Sequence, residues 1–164
     1  MGRKSTRENK TAYQLARERA ELTLEEAENR MNGMTADRIS RIEGGTVHVQ
    51  PEDVLMMAEC YKAPELRNYY CSHECAIGRE TVPEIESKSI AQIAIETLNS
   101  LNKLTREKDR LLEIVEDGKV MTDELEDFVT IKSTLDRIST SVSALQLWVD
   151  GQIADGQLKK EDFD

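Results

Sequence analysis

Two long segments of this chain carry residues suited to one helical stripe at spacings of three and four, close to a heptad repeat. Ile90, Ala94, Thr97, Leu101, Leu104, Lys108, Leu111 and Val115 form the first series, and Leu125, Phe128, Lys132, Leu135, Ile138, Val142, Leu145 and Val149 the second. A repeat near 3.5 residues keeps one stripe facing one way only in an α-helix, so each segment is expected to form a helix of about eight turns. Asp117-Gly118 breaks the pattern between them, and a short break between two long helices implies an antiparallel hairpin. Ile93, Ile95, Leu98, Ile131, Leu147 and Trp148 widen the apolar surface beyond the seam. A lone hairpin leaves such a surface in water, where another helix or a second chain normally covers it. The expectation is therefore a homodimer through residues 87–155, with a monomer folding its hairpin back on the N-terminal part as the alternative.

The chain has 164 residues, which bounds it to one domain or two small ones. Hydrophobic residues make up 38% and charged residues 33%, a balance that fits a folded helical protein rather than a disordered one. No apolar run approaches the roughly 20 residues that a membrane span needs. The opening MGRKSTRENK has no apolar stretch of the export type, and three cysteines are an odd number for a disulfide framework. Both point to a reducing cytoplasm and away from a membrane. Neither G-x-G-x-x-G nor G-x-x-x-x-G-K-[ST] occurs, only two histidines are present, and no nucleophile–base pair stands out, so no enzyme and no cofactor are expected.

Charge is unevenly spread. Residues 1–41 carry nine basic and seven acidic groups, net +2, whereas 42–86 and 87–164 each carry a net −6. Arg3, Lys4, Arg7, Lys10, Arg17 and Arg19 crowd the start, so any polyanion would meet the first quarter of the chain. Residues 1–10 read as a basic flexible arm able to track phosphates.

Short helical patterns follow. Ala12, Leu15, Ala16, Ala20 and Leu22 suit one face of a first helix. Thr23 with Glu26 makes a capping box for a second, Leu24 to about Met31, and Asn32-Gly33 is a turn signal. Thr35 caps a third helix, Ala36 to Glu43, which Gly44-Gly45 stops. Pro51, Glu52 and Asp53 open a fourth, expected to bury Val54, Leu55, Ala58 and Met57. A fifth begins near Ala63-Pro64 and includes Leu66, Tyr69 and Tyr70.

The segment ELTLEEAENRMNGMTADRISRIEGG resembles the lambda-repressor-like helix-turn-helix family, the Xre/Cro type of bacterial and phage regulators. LT-x-EE opening the second helix, the turn, and the run R-I-S-R-I-E-G carry the resemblance, which extends over roughly residues 9–70. Leu24 stands where the family usually has a glutamine, and the turn is longer than its commonest version. The resemblance implies an all-α, five-helix DNA-binding domain whose third helix enters the major groove of duplex DNA. On that reading Thr35, Ala36, Asp37 and Arg38 head the recognition helix, and Arg41 lies one turn from Asp37. Arg38 is the expected base reader, because a guanidinium fork matches guanine O6 and N7. Thr23, Arg17 and the arm residues Arg3, Lys4, Arg7 and Lys10 complete the expected DNA-binding set. Ile39 and Ile42 are expected in the core, with Glu43 in an internal ion pair or cap.

The expected organisation is a basic arm 1–10, a helix-turn-helix domain 11–76, a linker 77–86, a hairpin 87–155 and an acidic tail 156–164. The expected function is a sequence-specific transcriptional regulator that binds double-stranded DNA as a homodimer. Two alternatives stand beside it. An adaptor would keep the fold, bind a protein partner and lose DNA. A thiol or metal sensor would use Cys71 and Cys75, with Cys60 and His73 as further candidate ligands, although C-x-x-x-C is not the usual zinc spacing. The stretch Glu113 to Glu124 echoes a calcium loop but places Val115 where an oxygen ligand belongs, so it reads as a turn.

Overall fold

The computed structural model describes residues 10–163, and every described secondary-structure element is helical. Eight α-helices follow in order: α1 Ala12–Arg19, α2 Leu24–Arg30, α3 Ala36–Glu43, α4 Pro51–Cys60, α5 Glu65–His73, α6 Gly78–Thr81, α7 Ile90–Val115 and α8 Leu125–Ala154. A 3₁₀ turn spans Lys160–Asp162. The described chain divides into two compact units. One holds the residues up to Ile85 together with Val149 onward, and the other is Glu86–Trp148.

In the first unit the helix starts are written in side chains. Thr11, Thr23 and Thr35 sit in extended backbone, and each hydroxyl accepts the amide of the third residue on, satisfying one of the donors a helix start leaves open. At α2 the cap is reciprocal, with the Thr23 amide donating to Glu26 Oε2 at 2.7 Å. The ends of α1, α3 and α4 share one device. Glu21, Gly45 and Lys62 have positive φ, and the next amide reaches back to Arg17, Arg41 and Ala58 respectively. This six-to-one closure satisfies a terminal carbonyl, at some conformational cost where the left-handed residue is not glycine.

Tyr13, Ala16, Ala27, Ile39, Ile42, Val54, Met57 and Leu66 lie in one contiguous core with Met31, Met34 and Tyr61. Two expected core residues face outward: Leu15 is 52% exposed and Leu55 57%. In α1 the buried face turns to Tyr13, Ala16 and the aliphatic stem of Arg17. In α4 the buried row is Val54, Met57, Ala58 and, just past the helix, Tyr61, a strict three–four spacing that leaves Leu55 on the far side.

The stretch 77–86 is fastened to α5 over most of its length. Asn68 donates through Nδ2 to the Pro83 carbonyl at 2.9 Å and accepts the Ile85 amide at 2.8 Å, imitating a strand's peptide group. A side chain at Gly78 would collide with the Cys71 carbonyl, so α6 approaches α5 through a glycine.

In the second unit α7, 26 residues long, packs on α8. The buried positions coincide with the expected seam only in part, and Phe128, Ile138 and Val149 of the second series are half-buried. Ile93, Ser100 and Ile114 are buried on α7, with Thr97, Leu104, Glu107 and Leu111 half-buried, while α8 buries Ile131, Thr134, Ser141 and Ala144. Of the expected series, Ile90, Leu101, Val115, Leu125, Leu135, Val142 and Leu145 are each more than 40% exposed. Each helix carries two overlapping stripes at heptad spacing. The pair buries the one that includes Ser100, Thr134 and Ser141 and leaves Leu98, Leu101, Leu112, Leu135 and Val142 exposed.

Candidate nucleic-acid interface

The third helix is built to present one face and lose the other. Ile39 and Ile42 point into the core and are nearly inaccessible. Glu43 joins them only because Arg17 neutralises it. Arg17 Nε and Nη2 donate to the two Glu43 carboxylate oxygens at 2.7 Å each, and Nη1 donates to the Leu22 carbonyl at 2.7 Å. This bidentate pair is buried and raises the Arg17 pKa, chiefly through the hydrogen bonds to Glu43. Arg17, expected among the DNA-binding cations, is thus an internal residue: its donors are spent on holding α3 against α1 and the α1–α2 turn.

The outward face carries Thr35, Asp37, Ser40 and Arg41. Asp37 and Arg41 stand one turn apart with 3.8 Å between charged atoms, their side chains 81% and 56% exposed. A pair so open to water is worth a few tenths of a kcal/mol, so Arg41 is held loosely and can exchange partners. Ala36 is half-buried at the first helical position. Ser40 is not among the expected contacts; its place three residues after Asp37, on the same face, is the signal that marks it.

Arg38, the expected base reader, has its fork engaged. Its Nε donates to Asp53 Oδ1 at 2.9 Å, and its Nη2 donates to Oδ2. Asp53 also accepts the Gln50 amide at 2.8 Å, closing the first turn of α4. Burial pushes the Asp53 carboxyl up, but Arg38 and the amide outweigh it and hold its pKa below the ordinary carboxylate value. Arg38 therefore ties α3 to α4 with the same geometry that would match a guanine. Asp53 is legible in sequence as a helix opener after Pro51 but not as the partner of an arginine fifteen residues earlier.

At the head of α2, the Thr23 hydroxyl is half-buried and already accepts from Glu26. Lys10 donates to Glu18 at 2.6 Å. Arg3, Lys4 and Arg7 lie outside the described residues.

The other expected candidates are dispersed. Cys60, Cys71 and Cys75 are half-buried free thiols, and burial raises the pKa of Cys60. His73 stacks on Tyr69 at 4.5 Å between ring centroids, and its Nε2 lies 3.6 Å from Glu84. Among the described residues no group of three or more His, Cys, Asp or Glu is placed to hold a metal ion.

Comparison with known families bears on one part of the chain. Residues 14–68 match the family model of a helix-turn-helix domain. The match begins inside α1, encloses α2, the turn and α3, and ends inside α5. It stops short of α7 and α8. Neither a curated protein nor a solved structure matches the chain. Among the described residues no helix is long and apolar enough to cross a membrane.

Proposed function

We propose that this chain is a sequence-specific, duplex-DNA-binding transcriptional regulator of the Xre/Cro type. It lays α3 in the major groove and acts in the cytoplasm as a homodimer joined through residues 87–155. The observation that carries this reading is the division of α3. Its inner face is pinned by Ile39, Ile42 and the Arg17–Glu43 pair, while Thr35, Asp37, Ser40 and Arg41 project from a helix whose position is thereby fixed. Arg41 takes the base-reading role, with Asp37 orienting it or accepting from a cytosine amino group. Ala36 is small enough to admit a thymine methyl, and Thr35 and Thr23 offer hydroxyls to phosphates. Arg38, held on Asp53, keeps α3 seated on α4, and the arm residues Arg3, Lys4, Arg7 and Lys10 add sequence-independent attraction. No reaction and no cofactor are assigned to the chain.

The test is selection of bound duplexes from a random pool by the full chain, followed by binding of the enriched site to Arg41→Ala. An enriched motif is expected. Arg41→Ala should lose about 10- to 100-fold in preference for that motif over random duplex, the worth of one good bidentate contact. Binding that is unchanged by Arg41→Ala would remove the assigned reader.

One observation favours a second reading. Arg17 and Arg38 are both spent on internal carboxylates, and the whole chain carries a net charge of −10. A domain that keeps the fold as an adaptor for a protein partner would have this charge distribution. A folded chain that enriches no motif would favour the adaptor.

A further inference from the structure

The unit that contains the helix-turn-helix also contains the far end of the described chain. Val149 onward belongs to it, so the hairpin unit is entered from Ile85 and left at Val149, two roots that both lie in the first unit. The exit root is well seated. All six residues from Val149 to Ala154 are half-buried, whereas a helix resting on a surface by one face shows an exposed residue at each turn. Upstream, α8 keeps that one-sided pattern, with exposed residues in every turn.

Both roots are fastened to consecutive residues of α5. Asn68 takes the entry root, donating to the Pro83 carbonyl at 2.9 Å and accepting the Ile85 amide at 2.8 Å. Further along α5, His73 Nε2 lies 3.6 Å from the Glu84 carboxylate. Arg67 takes the exit root, its Nη2 donating to Asp150 Oδ2 at 2.8 Å. Consecutive residues of an α-helix point about 100° apart, so α5 stands between the two roots and holds each on a different side. A third side fixes α5 itself. Leu66 is 1% exposed in the core, and Tyr69 meets Tyr13 of α1 edge-on with ring centroids 5.7 Å apart. Tyr13 also donates to Glu74 Oε1 at 2.8 Å, tying the end of α5 to α1.

We propose that α5 is a bivalent clasp that holds the two roots of the hairpin together on the helix-turn-helix unit. Residues 77–86 are then not a free linker, and the end of α8 is a second point of attachment. Each hold is modest by itself. The Arg67 and Asp150 side chains are 47% and 45% exposed, and water weakens such a pair. The strength comes from having both. While one root is held, the other is kept at high effective concentration beside its partner on α5, so each tie supports the other without any new contact. Such support is reciprocal, because the coupling between two sites has one value whichever is released first. A partner that draws the end of α8 from its seat would therefore loosen residues 83–85 as well. The clasp does not depend on what α3 binds.

The sole tryptophan, Trp148, lies directly before Val149 and reports on the exit root. The experiment measures acrylamide quenching of Trp148 and hydrogen exchange of the Ile85 amide in the full chain, Asn68→Ala and Arg67→Ala, each checked for helicity by circular dichroism. In Asn68→Ala the Ile85 amide loses its acceptor and should exchange about 3- to 10-fold faster. Among the described residues no hydrogen bond of Asn68 reaches α8, yet Trp148 quenching should rise about twofold. Faster exchange at Ile85 with unchanged quenching would mean that the roots are held independently, and overturns the clasp. Unchanged exchange at Ile85 overturns it too, because Asn68 then holds nothing. Arg67→Ala leaves both Asn68 hydrogen bonds in place and decides the matter alone if Asn68→Ala lowers helicity. It should speed exchange at Ile85 about twofold, and an unchanged rate at unchanged helicity overturns the coupling.

Discussion

The two units bury different kinds of side chain, and the contrast separates a region that is complete from one that is not. In the helix-turn-helix unit, apolar residues from five short helices converge on one core, and two arginine–carboxylate pairs tie the helices together around it. In the hairpin the fully buried apolar residues are few, chiefly Ile93, Ile114 and Ile131, and small hydroxyls fill much of the seam. Thr134 illustrates the difference. It is 1% exposed, and its hydroxyl lies 3.1 Å from the Thr130 carbonyl one turn back and 3.2 Å from Glu107 on α7, so part of its satisfaction is local. Polar groups in the first unit link distant helices. Those in the second are satisfied mostly within their own helix, and several leucines, Leu98, Leu101 and Leu112 among them, stay exposed.

The largest way to break this contrast is to strand a charge in the first unit. Glu43→Ala leaves the Arg17 guanidinium buried without its carboxylate. The expected loss is about 3–5 kcal/mol of unfolding free energy, comparable with the whole stability of many domains. Urea unfolding followed by circular dichroism measures it. The double variant Arg17→Met, Glu43→Leu should recover much of the loss, because an apolar pair of similar volume removes the stranded charge. A Glu43→Ala variant as stable as wild type would mean that the pair does not hold α3 in place.

A smaller effect is expected at Asp53, and it carries a sign in pH. The folded carboxyl titrates below its ordinary value of about 3.9, so the stabilisation it provides is complete above that value and is lost as the pH falls through the folded one. Asp53→Asn should therefore cost about 1–2 kcal/mol at neutral pH, discounted because Arg38 is 38% exposed, and the gap to wild type should narrow below about pH 4. Thermal unfolding of both proteins between neutral and acidic pH tests this. A gap that stays constant on acidification would assign the destabilisation to lost helix capping alone.

The helix starts are the most legible part of the molecule. Thr23, Glu26, Thr35 and Pro51 act within three residues of themselves, so local sequence contains the whole interaction. The partners of Arg17 and Arg38 lie 26 and 15 residues away, and neither their identity nor their burial follows from spacing. An arginine near the start of α3 looks the same in sequence whether it faces outward or meets an aspartate. The hairpin is legible in a different degree. Its existence follows from the repeat, but its seam does not. Assigning the seam to the series chosen from spacing presumes that a helix pair closes on its greasiest face, and the burial of Ser100, Thr134 and Ser141 departs from that.

The smallest prediction returns to the core of the first unit. Tyr61 is 2% exposed and its hydroxyl makes no hydrogen bond among the described residues, although it lies near the Arg17–Glu43 pair. Burial, and then the Glu43 charge, push its pKa far above the ordinary phenol value, so it stays protonated throughout the working range. An unsatisfied buried hydroxyl is a cost that the ring's packing must offset. Tyr61→Phe keeps the ring and removes the cost, so stability should rise by up to about 1 kcal/mol in the same urea experiment. The Glu43→Ala loss should be unchanged when Tyr61→Phe is already present, if the hydroxyl plays no part in the pair. Coupling between the two substitutions beyond about 0.5 kcal/mol would instead place Tyr61 inside the Arg17–Glu43 network, making it the third member of the tie that fixes α3.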